Sequence, residues 1–562
     1  MDNKNVFVAI ALSMAVLLFW GAFFETPRQV DENQILDVQT NQNTVQSDIT
    51  PNINQKKIVK KISRRDALTE VDRVIIENEK VKGSISLKGA IFDDLSFKNY
   101  KKDLKSEENV VFLNPKEIED GYYIESGWAS VGDEVEVPGV DSLWQVKGNR
   151  VLSEKNNVVL EWNNEKGLIF KKTIKLDDKY LFKIKQEVKN NTSSKINLYP
   201  YSQITRNKKP DDVMGFYILH EGFIGVFDGE LKEDDYDDIQ EKKIIRNSDN
   251  GWLGITDKYW VAAIVPPKDK NFKSTFLYKD NYRANYILNS PVIINPKSSS
   301  SNEVRLFVAA KEVETVDGYA ESENIEKFDL TIDWGWFYFF TKPLFFVIDY
   351  LFKFSGNFGI AIVLITLAIR VVFFPLANYS FRSMAKMKAV QPEMTRLKEI
   401  HKDDKVKLQQ EMMALYRKEK INPASGCLPI LIQIPFFFAI YKMLFISLEM
   451  RHQPFFGWIQ DLSAKDPTTI FNLFGLIPWD PPGFLIIGIW PILMGLSMYV
   501  QQKLNPAPTD PIQAKIFAFF PLFLTIILAP FPSGLVVYWT VNNILTIAQQ
   551  WVIMRNTKVK TN

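Results

Sequence analysis

The run FGIAIVLITLAIRVVFFPL, from Phe358 to Leu376, is long enough to cross a bilayer and carries one charge, Arg370. On insertion scales a charge at the centre of a membrane helix costs about 2.5–3.5 kcal/mol. The other apolar runs of the C-terminal half hold no Asp or Glu to pair with it. A membrane arginine without a carboxylate needs water, backbone carbonyls or a passing ligand. This run therefore implies a wet cavity inside a membrane part.

The rest of the chain divides in two. Residues 25 to 330 are polar and charged, whereas 334 to 554 are dominated by apolar and aromatic residues. At 562 residues two or more domains are expected. The formal charge of +2 averages these unlike halves and gives no argument for nucleic acid, so no DNA partner is expected. The single cysteine, Cys427, excludes an intramolecular disulfide, so an exported domain would have to fold without one.

An apolar run from Val6 to Phe24 lacks a following small-residue cleavage site, which favours an uncleaved anchor over a signal peptide. Residues 25–57, rich in Asn, Gln, Asp and Thr, read as a flexible polar linker. From 58 to 330 the pattern is that of strands. Leu168, Phe170, Ile174 and Leu176 alternate with Lys171, Thr173 and Lys175, and after Asp177-Asp178 the alternation resumes with Phe182, Ile184 and Val188. Val304, Leu306 and Val308 repeat it. An antiparallel β-sandwich is predicted. Its lone histidine, His220 beside Glu221, belongs to no catalytic or metal-binding pattern, so no catalytic residues, metal or cofactor are expected.

Residues 333–355 crowd aromatics around Lys342, Pro343, Asp349 and Lys353, which suits a helix lying at the lipid interface. A helical core follows over 356–555. Beyond Phe358–Leu376, spans are expected at Cys427–Leu448, Phe484–Gln502, Ile516–Ala529 and Leu535–Met554. Asn378 to Gly426 carries eleven Lys or Arg, while Glu449 to Pro482 carries only Arg451 and Lys465. The first is therefore cytoplasmic and the second external. With the anchor 1–24 and the tail 556–562, this gives six spans, both termini cytoplasmic and the β-domain outside.

Within 378–422, Met384, Met387, Val390, Met394, Leu397 and Ile400 share one helical face, and Leu408, Met412, Leu415 and Tyr416 form a second. A helical hairpin bent by Pro392 is predicted. Its methionines Met384, Met387, Met394 and Met412, with Lys386 and Lys388, suit contact with apolar clients or a ribosome. In the spans, Thr366 and Arg370 are four apart, and Tyr538, Asn542, Thr546 and Gln549 share one face of the last span. With Gln433, Ser497 and Gln501, they are expected to line a hydrated groove rather than act only as interhelical glue. Lys442, toward the external end of its span, is expected to snorkel.

The segments DWGW, TLAIRVVFFPL, MAKMKAVQP, KDDK, QEMMALYRKEKINPASGCLPILIQIPFF, WIQDLSAKDP and FPSGLVVYW closely resemble the YidC membrane insertases with a large periplasmic domain. The resemblance implies a periplasmic β-super-sandwich joined to five transmembrane helices behind the N-terminal anchor, in a bacterial inner membrane. It places the family's groove arginine and threonine on Arg370 and Thr366, and its client-contacting aromatic on Trp539. It implies nascent membrane-protein clients, the Sec translocon, ribosomes and membrane lipid as partners. Two other classes compete with it. A transporter using Arg370 as an anion site would normally show inverted repeats, and none is seen between the halves. A membrane-anchored carbohydrate-binding protein would use the β-domain instead.

Overall fold

In a computed structural model of the chain, residues 62–556 are described, apart from 132–134, 212, 214–218, 336, 403, 423–427, 476, 478, 480, 483–485 and 506–510. The anchor, the linker, Trp336, Cys427 and the C-terminal tail lie outside the described residues.

Two sheets form the N-terminal part. The eleven-stranded sheet runs from Ile244–Ser248 through Phe272–Lys279, Asn281–Leu288, Ile196–Arg206, Tyr122–Ala129, Ile91–Lys101, Val81–Ser86 and Arg73–Glu77 to Val151–Leu152. Val292–Ile294 and Asn109–Leu113 pair off this path. The nine-stranded sheet runs from Glu230–Asp235 through Gly222–Phe227, Gly251–Thr256, Trp260–Val265, Ser299–Ala310, Leu181–Asn190, Leu168–Leu176 and Val158–Asn163 to Gln145–Val146. Short helices α1 (Arg64–Thr69) and α2 (Tyr236–Glu241) decorate the domain.

The period-two reading holds residue by residue. Phe182 pairs with Leu176, Ile184 with Ile174 and Val188 with Phe170, and on the other edge Val304 pairs with Ile184 and Leu306 with Phe182. The turn between the arms is set by Asp177, whose carboxylate accepts the Lys179 and Leu181 N–H groups at 3.0 and 2.9 Å. These inward side chains are buried, each worth about 1.5–3 kcal/mol when fully withdrawn from water. Lys172 interrupts the pattern. It takes an inward position at 4% exposure, with its ammonium over the Trp144 ring at 4.7 Å.

After α3 (Val313–Ser322) the chain becomes helical: α4 (Tyr338–Ser355), α5 (Phe358–Val372), α6 (Phe374–Ala389), α7 (Gln391–Ile400), α8 (Lys405–Lys418), α9 (Leu428–Ile446), α10 (Ile489–Leu504), α11 (Pro511–Leu528) and α12 (Ser533–Asn556). Helix α4 buries Thr341, Leu344, Phe345 and Ile348, while Phe339, Tyr350 and Phe354 stay exposed on its other side. That aromatic face suits the lipid surface predicted for it.

The predicted span Phe358–Leu376 is not one helix. It breaks at Phe373, and α5 and α6 meet at a 69° bend because Pro375 begins a new helix. By length and composition alone this bent pair is a candidate membrane span. Among the described residues no single helix is. Pro392 likewise starts α7 instead of bending a longer helix. The α7 and α8 helices pack as a hairpin, with the Tyr416 hydroxyl 3.9 Å from the Met394 sulfur.

The β-domain joins the helices through buried charge. The Glu449 carboxylate accepts the Val313 N–H at the start of α3 at 2.8 Å. Its second oxygen, Oε2, is buried without a hydrogen bond among the described residues. Burial, reinforced by the Glu312 and Asp349 carboxylates, pushes the Glu449 carboxyl up to about 7 against that hydrogen bond. A raised carboxyl contributes stability below its unfolded value near 4.5 that is lost as pH rises through about 7. Glu449→Gln does not titrate, so the gap between native and variant thermal midpoints should shift against the native protein between pH 5.5 and 8. An unchanged gap would refute the assignment.

Candidate functional site

A small cavity of about 50 Å³ opens where α5, α9 and α12 meet the α5–α6 bend. Thr366, Ile369 and Arg370 come from α5, Gln433 and Phe436 from α9, and Tyr538, Asn542 and Gln549 from α12. Phe373, Leu376 and Ala377 complete it at the bend. The i, i+4 spacing on α5 and the four-four-three spacing on α12 place the two polar faces opposite each other.

Arg370 is the centre of this arrangement. Its Nη2 donates to Asn542 Oδ1, to Thr546 Oγ1 and, at 3.3 Å, to the Asn542 carbonyl. The Thr546 hydroxyl in turn donates to that carbonyl at 2.6 Å. Thr366 is buried, and its hydroxyl donates to the Ile362 carbonyl of its own helix at 2.6 Å. Among the described residues no carboxylate forms an ion pair with Arg370. Three neutral oxygens hold the guanidinium and leave its charge uncancelled. Gln549 adds a buried side-chain oxygen with no hydrogen bond among the described residues.

The starts of α5 and α12 are closely packed against the 454–464 segment. A Cβ on Gly359 would lie 1.9 Å from the Phe455 ring, and Asn357 Nδ2 donates to the Pro454 carbonyl at 3.3 Å. The first N–H groups of α12, Ser533 and Gly534, donate to the carbonyls of Ala464 and Leu462 at 2.7 and 2.9 Å.

Several expected residues fall elsewhere. Ser497 accepts from Asn543 Nδ2 at 3.0 Å, and Gln550 donates to Asn505 Oδ1 at 3.0 Å, on the side of α12 that faces α10. Ser497 is therefore interhelical glue, and Gln501 is not among the groove's lining residues. Trp539 is not among the cavity's lining residues and meets Phe437 edge-on at 4.7 Å. In the hairpin, Met384 and Met394 are buried, Met387 and Met412 are half-buried, and Met413 is the exposed one. Met384 packs with Phe381 against Ile553 of α12. Lys386 and Lys388 are exposed.

Lys442 does not snorkel. Its Nζ pairs with Asp333 Oδ2 at 2.7 Å, a partner invisible to a reading that considered the spans alone. His220 is packed: its ring contacts the Phe223 carbonyl at 2.9 Å and Asp235 at 3.3 Å.

This geometry joins a large all-β domain to a helical region with a pocket centred on Arg370, the layout of a membrane protein insertase with a periplasmic domain. Residues 73–347 match the family described as the YidC periplasmic domain, and 350–561 match the 60Kd inner membrane protein family. The chain is 55% identical to the membrane protein insertase YidC of Pelagibacter ubique (strain HTCC1062), covering 100% of both chains. It is 45% identical to that of Methylorubrum extorquens (strain PA1), covering 100% of this chain and 96% of the relative. The chain belongs to the YidC family of membrane protein insertases.

Among solved structures, an active YidC insertase with its first transmembrane domain resolved is similar at 15% identity and a TM-score of 0.34, covering 88% of this chain and 94% of that one. A galactose mutarotase related enzyme from Lactobacillus acidophilus is similar at 11% identity and a TM-score of 0.29, covering 42% of this chain and 98% of that one. The protein is thus a bacterial inner-membrane insertase with a periplasmic domain. The transporter and carbohydrate-binding readings find no support in these matches.

If Ser497 is glue, Ser497→Ala should cost about 1 kcal/mol of stability by leaving Asn543 unpaired. Client insertion should be unchanged. Thermal unfolding in detergent and an insertion assay in liposomes measure the two separately.

Proposed function

We propose that the groove around Arg370 receives the polar tail or hairpin of a client membrane protein from the cytosol and releases its apolar segment sideways into lipid. One observation carries this reading: Arg370 is held by neutral oxygens, so its charge stays available to a client's acidic residue. Each polar client group left unsatisfied in hydrocarbon costs several kcal/mol, and a wet groove closed only at its external end shortens the apolar path. Thr366, Gln433, Tyr538, Asn542, Thr546 and Gln549 supply the polar wall. Trp539 would act from the neighbouring α9–α12 seam.

In this reading the chain has six spans: the anchor 1–24 and five in the core 356–555, with both termini cytoplasmic. The linker 25–57 tethers the periplasmic domain 58–330, and α4 lies on the lipid surface. The hairpin within 378–422 offers Met413, Lys386 and Lys388 to clients or to a translating ribosome, and the Sec translocon is a further partner. Membrane potential would assist acidic tails on their way outward.

Reconstituted in liposomes, Arg370→Ala should lose insertion of single-span clients with acidic tails and spare clients with uncharged tails. Arg370→Lys should retain much of the activity. Equal loss for both client types would leave Arg370 a structural role only.

A further inference from the structure

Lys442 is the one charged residue in the sequence of α9, and the structure accounts for it. Its side chain is 13% exposed and that of Asp333 is 19% exposed, so the pair is largely withdrawn from water. Asp333 Oδ2 also accepts the His220 N–H at 2.9 Å, and its Oδ1 accepts the Gly335 N–H at 3.0 Å. Gly335 adopts a positive φ of 75°, and the Lys442 stem runs directly over it. A Cβ there would lie 3.0 Å from Lys442 Cε, so this position suits glycine on both counts. Between them, Trp334 is 2% exposed and packs on Phe345 of α4 at 5.6 Å. Asp333 and Gly335, just past the β-domain and tied to it through His220, thus form a socket for a lysine of α9.

The same helix builds the groove. Gln433 and Phe436 line the cavity, and Lys442 lies six residues past Phe436, roughly 9 Å along the axis at about 1.5 Å per residue. Neighbouring contacts hold the same end of α9. The Lys258 ammonium of the β-domain sits 4.2 Å over the Phe445 ring, and Arg451 donates to the Lys102 carbonyl at 2.8 Å. The β-domain segment is itself clamped to α4, where Lys342 reaches Asp317 and Asp329, each at 2.9 Å.

We propose that Lys442 is a positioning residue for insertion: its ion pair with Asp333 fixes the outer end of α9, and with it the groove wall of Gln433 and Phe436, to the β-domain. This role rests on the groove reading above. It gives the periplasmic domain a mechanical part in insertion, as the anvil against which one wall of the groove is set. Breaking a buried pair by removing one partner leaves the other charge uncompensated, whereas removing both does not. The two substitutions should therefore be strongly non-additive.

The test uses the full chain in proteoliposomes, in a Cys427→Ser background, with spin labels at Tyr278 on the β-domain and Phe438 on α9, both exposed. Lys442→Met should broaden the interlabel distance distribution and lower client insertion about fivefold, within the range of coupling energies for contacting residues. Lys442→Arg should preserve both readouts. Asp333→Asn combined with Lys442→Met should be no worse than either change alone. An unchanged distance distribution in Lys442→Met overturns the latch. A broadened distribution with undiminished insertion overturns its role in setting the groove. Additive losses in the double variant reduce Lys442 to ordinary packing. Arg370→Ala, run in parallel, tests the groove reading itself: if it spares acidic-tailed clients, that reading fails while the distance data still judge the latch.

Discussion

A guanidinium held in an apolar helix bundle by amide and hydroxyl oxygens, with no carboxylate partner among the described residues, is the interaction on which the helical part is organised. Arg370 reaches across to Asn542 and Thr546, and this contact brings α5 against α12. A carboxylate in place of Asn542 would satisfy the arginine more strongly and also cancel its charge. Neutral oxygens satisfy its donors while leaving a positive potential in the cavity. The polar face of α12 follows from that need, since each amide and hydroxyl there would otherwise be a cost in hydrocarbon.

The last helix carries polar residues on two faces, and they do different things. Tyr538, Asn542, Thr546 and Gln549 meet the groove, whereas Asn543 bonds to Ser497 of α10 and Gln550 to Asn505 just past its end. Adjacent asparagines, Asn542 and Asn543, thus bond to Arg370 of α5 and to Ser497 of α10 respectively. On a helix, neighbours in sequence point about 100° apart, so a single step suffices to change roles. The opposite arrangement holds at the two ends of the groove. The 69° break after Phe373 turns the chain away on one side, while the 454–464 segment locks onto α5 and α12 on the other.

The β-domain is more than an appendage on a tether. Charged contacts at Glu449, Lys442, Lys342 and Arg451 tie it to α4, α9 and the loop after α9. Asp333 shows how such a contact is tolerated. Burial would raise its carboxyl, yet Lys442 and the His220 N–H hold it below the ordinary carboxylate range, so it stays charged and paired.

The sequence by itself determined the alternation that builds the sandwich, the apolar runs, the charge bias between loops and the polar faces of α5 and α12. Each is a short-range periodicity, and such patterns are written within one element. Residues that break a period, such as Lys172, escaped it, as did the proline breaks, where Pro375 and Pro392 begin new helices instead of bending old ones. Only the tertiary structure decided which polar residues share the groove and which glue helices, and which partner takes Lys442. Arg370 and Thr546 are 176 residues apart and Asp333 and Lys442 are 109 apart. No local spacing encodes those meetings. They exist because packing brings distant helix faces together, and a buried charge must find its partner wherever the fold places one.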